Sequence, residues 1–251
     1  MTPDIHLRDV GLAYHDKTVF SHIDLDIPAG TKLALLGPSG VGKTSLLRLL
    51  AGLTTTGETV SGVIKTSNTI PLHKQIAYMS QQDLLLPWMT VYQNATLGMK
   101  LRFHQKQQAT RKKNLANKLL TQAGLTHAKD LYPHQLSGGM RQRTALVRTL
   151  LQEQPVVLMD EPFSALDTIT RHHLQNLTCD MLQDQTVIYI THDPSEALRI
   201  ADQIYLMCKT PPYCKLIAEP LSPIPRDSYA TDTMQLQATI FTQLNEMEKC
   251  A

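Results

Sequence analysis

No run of about 18 apolar residues occurs in the sequence, so no segment is suited to cross a bilayer as a helix. The first residues, Met1-Thr2-Pro3-Asp4-Ile5-His6, have an acid and a proline where a secretory leader needs a basic segment and an apolar run. The expectation is a chain neither exported nor membrane-spanning. Cysteine is scarce: Cys179, Cys208, Cys214 and Cys250 show no C-x-x-C spacing, which speaks against zinc or a redox pair and for reduced thiols over a disulfide framework. Net charge is small, +2 from 24 basic and 22 acidic residues, and points away from nucleic acid. One further absence is local. Between Leu84 and Lys129 there is no Asp or Glu, while Lys100, Arg102, Lys106, Arg111, Lys112, Lys113 and Lys118 gather from residue 100 onward. This pattern fits a solvated basic face or a face near anionic lipid headgroups, and composition alone leaves both open.

What the sequence does contain is organised around Gly37-Pro38-Ser39-Gly40-Val41-Gly42-Lys43-Thr44, preceded by Leu33-Ala34-Leu35-Leu36 and followed by Leu46-Leu47-Arg48-Leu49-Leu50. The order is strand, glycine-rich loop, helix, which is the context that confirms a G-x-x-x-x-G-K-[ST] phosphate loop. Successive N–H groups can turn inward on one anion there, and the helix start adds unpaired amides and the positive end of its dipole. Lys43 would reach the β/γ-phosphates, and the Thr44 hydroxyl would hold Mg²⁺.

Two other apolar runs end in polar residues. Pro155-Val156-Val157-Leu158-Met159 leads into Asp160-Glu161-Pro162, and Thr186-Val187-Ile188-Tyr189-Ile190 leads into Thr191-His192-Asp193. Continuous apolar runs of this length predict buried parallel strands, whose carboxyl ends carry ligand sites. Asp160 can hold Mg²⁺, often through water, and the next residue, Glu161, is free to polarise a water for attack on the γ-phosphorus. His192 fits either a hydrogen-bonded structural histidine or a donor to the transferring phosphoryl group. Ser137-Gly138-Gly139 opens a second helix with exposed amides, with Ser137 as its N-cap, and could bind another anion. One small domain rarely needs two polyphosphate sites, so the economical resolution is that this start completes a pocket on a second copy.

The remaining elements are read from period. Ile5–Val10 and Ile23–Ile27 alternate as half-buried antiparallel strands, with Tyr14 between them as packing or ligand contact, and Gly62–Lys65 and Ile76–Met79 are two more short strands. Leu115, Leu119, Leu120 and Ala123 recur at helical spacing, predicting a helical insertion with its polar face outward. Helices are expected at about Leu136–Leu151 and Ile169–Leu182. Pro211, Pro212, Pro220, Pro223 and Pro225 predict an irregular connector, followed at about 231–249 by a packed terminal helix with Met234, Phe241, Leu244 and Met247 on one stripe.

Taken in order, the phosphate loop, Gln81, Leu85-Leu86-Pro87-Trp88, Leu136-Ser137-Gly138-Gly139-Met140-Arg141-Gln142-Arg143, Leu158-Met159-Asp160-Glu161-Pro162, Ser164-Ala165-Leu166-Asp167 and Thr191-His192-Asp193 resemble the nucleotide-binding subunit of an ATP-binding-cassette (ABC) transporter. The resemblance runs from about residue 5 to 226. It implies an α/β fold: a P-loop nucleotidase core with a mainly parallel sheet, an N-terminal antiparallel β subdomain and an inserted α-helical subdomain. It also implies an ATPase domain over 1–226, with the helical subdomain inserted at about 84–150, and a short helical tail over 227–251.

What the resemblance implies for the site is a head-to-tail homodimer with two ATP molecules at its interface. Each ATP would be held by Gly37, Pro38, Ser39, Gly40, Val41, Gly42, Lys43, Thr44 and Ser45 of one subunit and by Ser137, Gly138 and Gly139 of the other. Tyr14 would stack on adenine. Thr44, Gln81 and Asp160 would serve the Mg²⁺, while Glu161, His192, Gln81 and Lys43 would act on the γ-phosphate, and Asp167 would link the two sites. The implied partners are a transmembrane permease and, indirectly, a solute-binding protein, with no nucleic acid. The implied place is peripheral, on the cytoplasmic face of the inner (plasma) membrane, with Trp88 and the basic run toward the permease. Leu85–Val91 resembles importers of nitrate, alkylsulfonates, taurine and thiamine-precursor pyrimidines, and a thiamine-related pyrimidine is the solute expected ahead of a sulfonate or nitrate. The alternative is a soluble non-transport ABC ATPase acting on ribosome or DNA; such proteins typically carry two cassettes or a long coiled coil, and neither is visible here. A small-molecule kinase is a third reading, and it would have no use for Ser137-Gly138-Gly139.

Overall fold

The structure is a computed structural model that describes residues 2–15, 17–102, 109–209 and 212–248. Lys106, Thr210, Pro211 and Cys250 lie outside the described residues. In chain order the elements are β1 (Ile5–Tyr14), β2 (Lys17–Ile27), β3 (Lys32–Leu36), α1 (Lys43–Leu50), β4 (Glu58–Thr66), β5 (Ile76–Met79), α2 (Val91–Ala95), α3 (Leu97–Arg102), α4 (Ala109–Gln122), α5 (Gly138–Leu150), β6 (Val156–Asp160), α6 (Thr168–Met181), β7 (Thr186–Ile190), α7 (Pro194–Ile200), β8 (Gln203–Lys209), β9 (Pro212–Ala218) and α8 (Thr231–Glu248). They fall into two compact units, Met1–Ile76 with Pro155–Glu161 and Gln183–Ala251, and Ala77–Gln154 with Pro162–Leu182.

In the first unit, five strands of the larger sheet run in the order β6-β7-β3-β8-β9. The first four are parallel, with Val157 beside Val187, Leu35 beside Ile190 and Ala34 beside Ile204. Every residue of β3, β6 and β7 is buried, which is why these strands read as unbroken apolar runs rather than as alternation. Each fully buried Leu, Ile or Val contributes about 1.5–3 kcal/mol. Because the three strands are parallel, their carboxyl ends share one edge, and β3 enters the phosphate loop, β6 ends on Asp160 and β7 leads into His192 at that edge.

A second sheet, β2-β1-β4, is antiparallel, with Ile5 opposite Ile27 and Leu7 opposite Ile64. β1 continues to Tyr14, four residues beyond the alternating stretch. The register shifts between Leu7 and Val10, and Asp9 takes a positive φ of 51°. This bulge leaves Arg8 and Asp9 exposed in succession and Val10, Gly11 and Leu12 buried in succession, so the period of two is lost while the strand persists. Of the irregular connector predicted around Pro211, Pro212, Pro220, Pro223 and Pro225, residues 219–230 are irregular as expected, but Pro212–Ala218 is a strand. β9 pairs antiparallel with β8, with Met207 opposite Cys214, and a proline is tolerated at the first residue of such an edge strand.

Further along this tail, the buried Arg226 side chain donates to the carbonyls of Leu198, Ala201 and Pro220 and to Ser222 Oγ. A guanidinium at the carboxyl end of α7 satisfies orphan carbonyls there and opposes the negative end of the helix dipole. Helix α8 packs against α7, but not through the predicted stripe. Among its described side chains Thr233 and Ile240 are the buried ones, Leu244 is half-buried, and Met234 and Phe241 are exposed; the side chain of Met247 is outside those described.

The second unit is helical and is assembled from two separate chain segments. Its core includes Val91, Ala95, Ala116, Leu119, Leu120, Ala123, Leu146, Leu150, Leu174 and Leu177. The segment 162–182 joins it partly because Gln142 accepts the Ala165 N–H at 2.9 Å and donates to Ser164 Oγ at 3.3 Å. Asn94, with no exposed surface, accepts from Leu86 N and donates to the carbonyls of Leu86, Met89 and Thr90, fixing the turn that leaves Trp88 69% exposed. The predicted basic face is only partly realised. Arg111, Lys113 and Lys118 are exposed, but Lys112 is buried, because it falls on the α4 side that carries Ala116, Leu119 and Ala123. Burial pushes its pKa down, with Glu153 opposing. Among the described residues no helix is long and apolar enough to cross a membrane. Cys179, Cys208 and Cys214 are free thiols.

Candidate functional site

The site in the first unit is built on the backbone of residues 37–42. Gly37, Gly40 and Gly42 have φ of 145°, 77° and 107°. A Cβ on Gly42 would meet Phe20 at 2.9 Å, and one on Gly37 would press on the Met207 carbonyl oxygen, so space as well as φ demands glycine. Helix α1 starts at Gly42 with no side-chain cap and no acid in its first turn. Its free amides and dipole are therefore left to an external anion. Lys43 is buried and donates through Nζ to Gly37 O at 2.6 Å and Pro38 O at 2.8 Å. With these carbonyls drawn to one cation, the loop is held in a shape that can cradle phosphate. Burial lowers the Lys43 pKa, opposed by Glu161 and Asp160. Of the other loop residues Val41 is buried, whereas Ser39, Gly40 and Thr44 are exposed.

Asp160, 1% exposed, ends β6. Burial raises its pKa, while a hydrogen bond from Thr44 works the other way. Its Oδ2 is buried without a hydrogen-bond partner. A buried carboxylate oxygen beside a threonine hydroxyl fits a hard cation that completes its shell with phosphate and water. Among the described residues no group of three or more His, Cys, Asp or Glu side chains could hold a metal by itself.

Glu161 leaves the strand with φ 49°, anchored by its N–H on Ile190 O at 3.0 Å. A left-handed glutamate costs on the order of 1–3 kcal/mol and such strain gathers at functional sites. Its Oε1 lies 3.6 Å from His192 Nδ1. The loop carrying His192 is set by Asp193, whose carboxylate caps α7 through Ser195 N at 2.9 Å. Gly37, Pro38, Ser39, His192 and Asp193 line a cavity of about 440 Å³ that Phe241 and Leu244 of α8 also line. The sequence placed that last pair on a packing stripe and not at this site. Tyr14 closes β1 half-exposed, its ring edge-on to His15 with centroids 4.6 Å apart.

Gln81, Ser137, Gly138 and Gly139 lie in the second unit. Ser137 caps α5 as predicted, its hydroxyl accepting from Met140 N at 3.2 Å. Gly139 sits against the loop before α6, where an added Cβ would be 3.3 Å from Ala165 O. Gln81 and Gly138 line another cavity of about 440 Å³ with Asp83, Arg141, Gln142 and Ser164. Arg141 Nε meets Asp83 Oδ2 at 3.1 Å, and Arg148 donates to the Asp83 and Leu84 carbonyls at 2.6 and 2.8 Å. Sequence reasoning missed this pairing, although the two arginines are seven residues apart on one helix face.

The geometry agrees with relatedness. The profile of the ABC transporter family matches residues 20–164. The chain is 42% identical over 205 residues to the aliphatic sulfonates import ATP-binding protein SsuB of Delftia acidovorans, covering 81% of this chain and 79% of that one. It is 37% identical over 243 residues to an uncharacterized ABC transporter ATP-binding protein of Haemophilus influenzae, covering 96% and 98%. Among solved structures it is similar to a dimeric post-hydrolysis state of an ATP-binding cassette bound to ADP and Pi, with a TM-score of 0.71 and 26% identity over 80% of this chain and 93% of that one. The chain therefore belongs to the ABC transporter family, as an ATP-binding subunit that hydrolyses ATP.

Proposed function

We propose that the chain powers import of a small solute by closing, as a homodimer, on two ATP molecules and reopening after hydrolysis. The observation that carries this reading is the shared strand edge, where Glu161 faces His192 at 3.6 Å beside the phosphate loop. In this reading Lys43, the loop residues 37–42, Thr44 and Ser45 bind the polyphosphate, and Tyr14 stacks on adenine. Thr44, Asp160 and Gln81 would hold Mg²⁺, which supplies charge neutralisation at the phosphate oxygens when bound. Glu161 takes the proton of the attacking water, and His192 donates to the γ-phosphate. Ser137, Gly138 and Gly139 close the pocket from the second copy, and Asp167 links the two sites. Residues 1–226 form the ATPase domain and 227–251 its tail.

The import reading is supported by relatives named for import of aliphatic sulfonates, including a second one from Rhodococcus jostii at 40% identity over 81% of this chain. Those names favour a sulfonate over the pyrimidine preferred from sequence. Exposed Trp88 and Leu84 present an apolar surface suited to a permease at the cytoplasmic membrane face, with a solute-binding protein acting beyond it. Replacing Glu161 by Gln tests the assignment. ATP binding should persist, hydrolysis should fall at least about 100-fold, and a dimer should accumulate with ATP. Turnover equal to the parent would remove Glu161 as the base.

A further inference from the structure

Two exposed apolar positions of this chain bear on the proposed dimer. The first is on α8. Phe241, 47% exposed, and Leu244 line the cavity that reaches the phosphate loop at Pro38 and Ser39 and the loop of His192. An aromatic ring beside a polyphosphate site has no hydrogen bond to offer the anion, so its value there lies in excluding water or in meeting another apolar group. The second surface is on α6. Ile169, 85% exposed, stands in its first turn, two residues after Asp167, which caps that helix through Thr170 N at 3.0 Å.

Within the second unit the starts of α5 and α6 are held together. Gln142 grips Ser164 and Ala165, and Gly139 lies against the Ala165 carbonyl and Leu166. Any surface that receives Ser137-Gly138-Gly139 therefore also receives the start of α6, with Ile169 pointing outward from it. In the dimer reading that surface is the phosphate loop of the second copy. From Pro38 and Ser39 the cavity wall continues directly to Phe241 and Leu244.

We propose that in the ATP-bound pair Ile169 of the partner subunit packs against Phe241 and Leu244, making α8 part of the dimer interface. The occupant of the apolar wall is thus a second copy of this chain, and the contact is made twice by symmetry. The inference rests on the dimer reading above. It adds a contact from outside the nucleotide motifs that couples the C-terminal helix to closure.

The test is a double-mutant cycle in the Glu161→Gln chain, with dimer dissociation measured by sedimentation at saturating ATP. Both target side chains are exposed, and thermal melts would verify that the variants fold. Phe241→Ala and Ile169→Ala should each weaken the dimer about tenfold, and the double variant should be no worse than about 20-fold, because contacting residues are non-additive. Phe241→Leu should recover most of the loss. Met234→Ala, equally exposed on α8 but absent from the cavity wall, should leave dissociation unchanged. Additive effects, or no effect of Phe241→Ala on a dimer that does form, would overturn the pairing. Absence of any ATP-dependent dimer in the Glu161→Gln parent would instead remove the dimer reading itself, and the pairing with it.

Discussion

Two helices of this molecule open on glycine-rich turns, and they open differently. Helix α1 starts at Gly42 in a left-handed conformation with no side-chain cap. Helix α5 starts after Ser137, whose hydroxyl already accepts Met140 N. Neither has an acid in its first turn, so both keep the positive end of the dipole uncompensated. The first start leaves all its amides to an incoming anion and has a buried lysine and two strand-end acids around it. The second satisfies one amide internally, and the guanidinium on its turn, Arg141, which donates to Leu136 O at 2.9 Å, is already paired with Asp83 at 3.1 Å. In the proposed reading, one is a cradle for a polyphosphate and the other a lid that needs a phosphate brought to it. On that proposal, the difference would account for two uncompensated helix starts in a chain with one edge of parallel strand ends.

The sharpest way to break the comparison is at Gly42. Gly42→Ala combines φ 107° with a Cβ 2.9 Å from Phe20, and it should cost about 3 kcal/mol of stability and abolish nucleotide binding, read by thermal melts with and without ATP. A fully folded, ATP-binding Gly42→Ala protein would show that the cradle does not depend on this backbone. At Ser137 the cap and the ligand role can be separated. Ser137→Ala should lose about 1 kcal/mol, whereas Ser137→Asp should keep the cap to within about 0.5 kcal/mol. The aspartate should nonetheless lower ATP turnover at least tenfold, since its charge opposes the phosphate. Parent-like turnover in Ser137→Asp would mean that the α5 start never meets the nucleotide. The mildest change is Gly139→Ala. Its helix-propensity gain of up to about 1 kcal/mol is offset by the 3.3 Å approach to Ala165 O, so the melting temperature should move by only a few degrees. A loss as large as that of Gly42→Ala would make the second start as space-limited as the first.

Much of the first helix start was legible in advance because its chemistry is contiguous. An apolar strand, a glycine turn and an apolar helix follow one another in the chain, and each is specified by local period or turn geometry. The same holds for the two acids at the end of β6, for His192 after β7 and for the Ser137 cap. Where reading failed, the cause was a neighbour distant in sequence. Lys112 was assigned to a basic face by composition but is buried, because the packing side of α4 is set by its partners. Met234 and Phe241 were assigned to a packed stripe but are exposed, because α7 takes the face carrying Thr233 and Ile240. The end of β1 was hidden by a bulge at Arg8 and Asp9.

The sequence by itself determined the fold class, the phosphate loop and the residue types delivered to the carboxyl edge of the parallel strands, since runs of buried apolar residues and glycine turns are encoded by adjacent positions. Only the tertiary structure decided that Asp160 keeps a buried oxygen without a partner, that Asp83 is gripped by two arginines of α5, and that Phe241 shares a cavity with Ser39 and His192. Those relations join positions far apart along the chain. They come into being only when parallel strands align their ends and helices choose which face to bury.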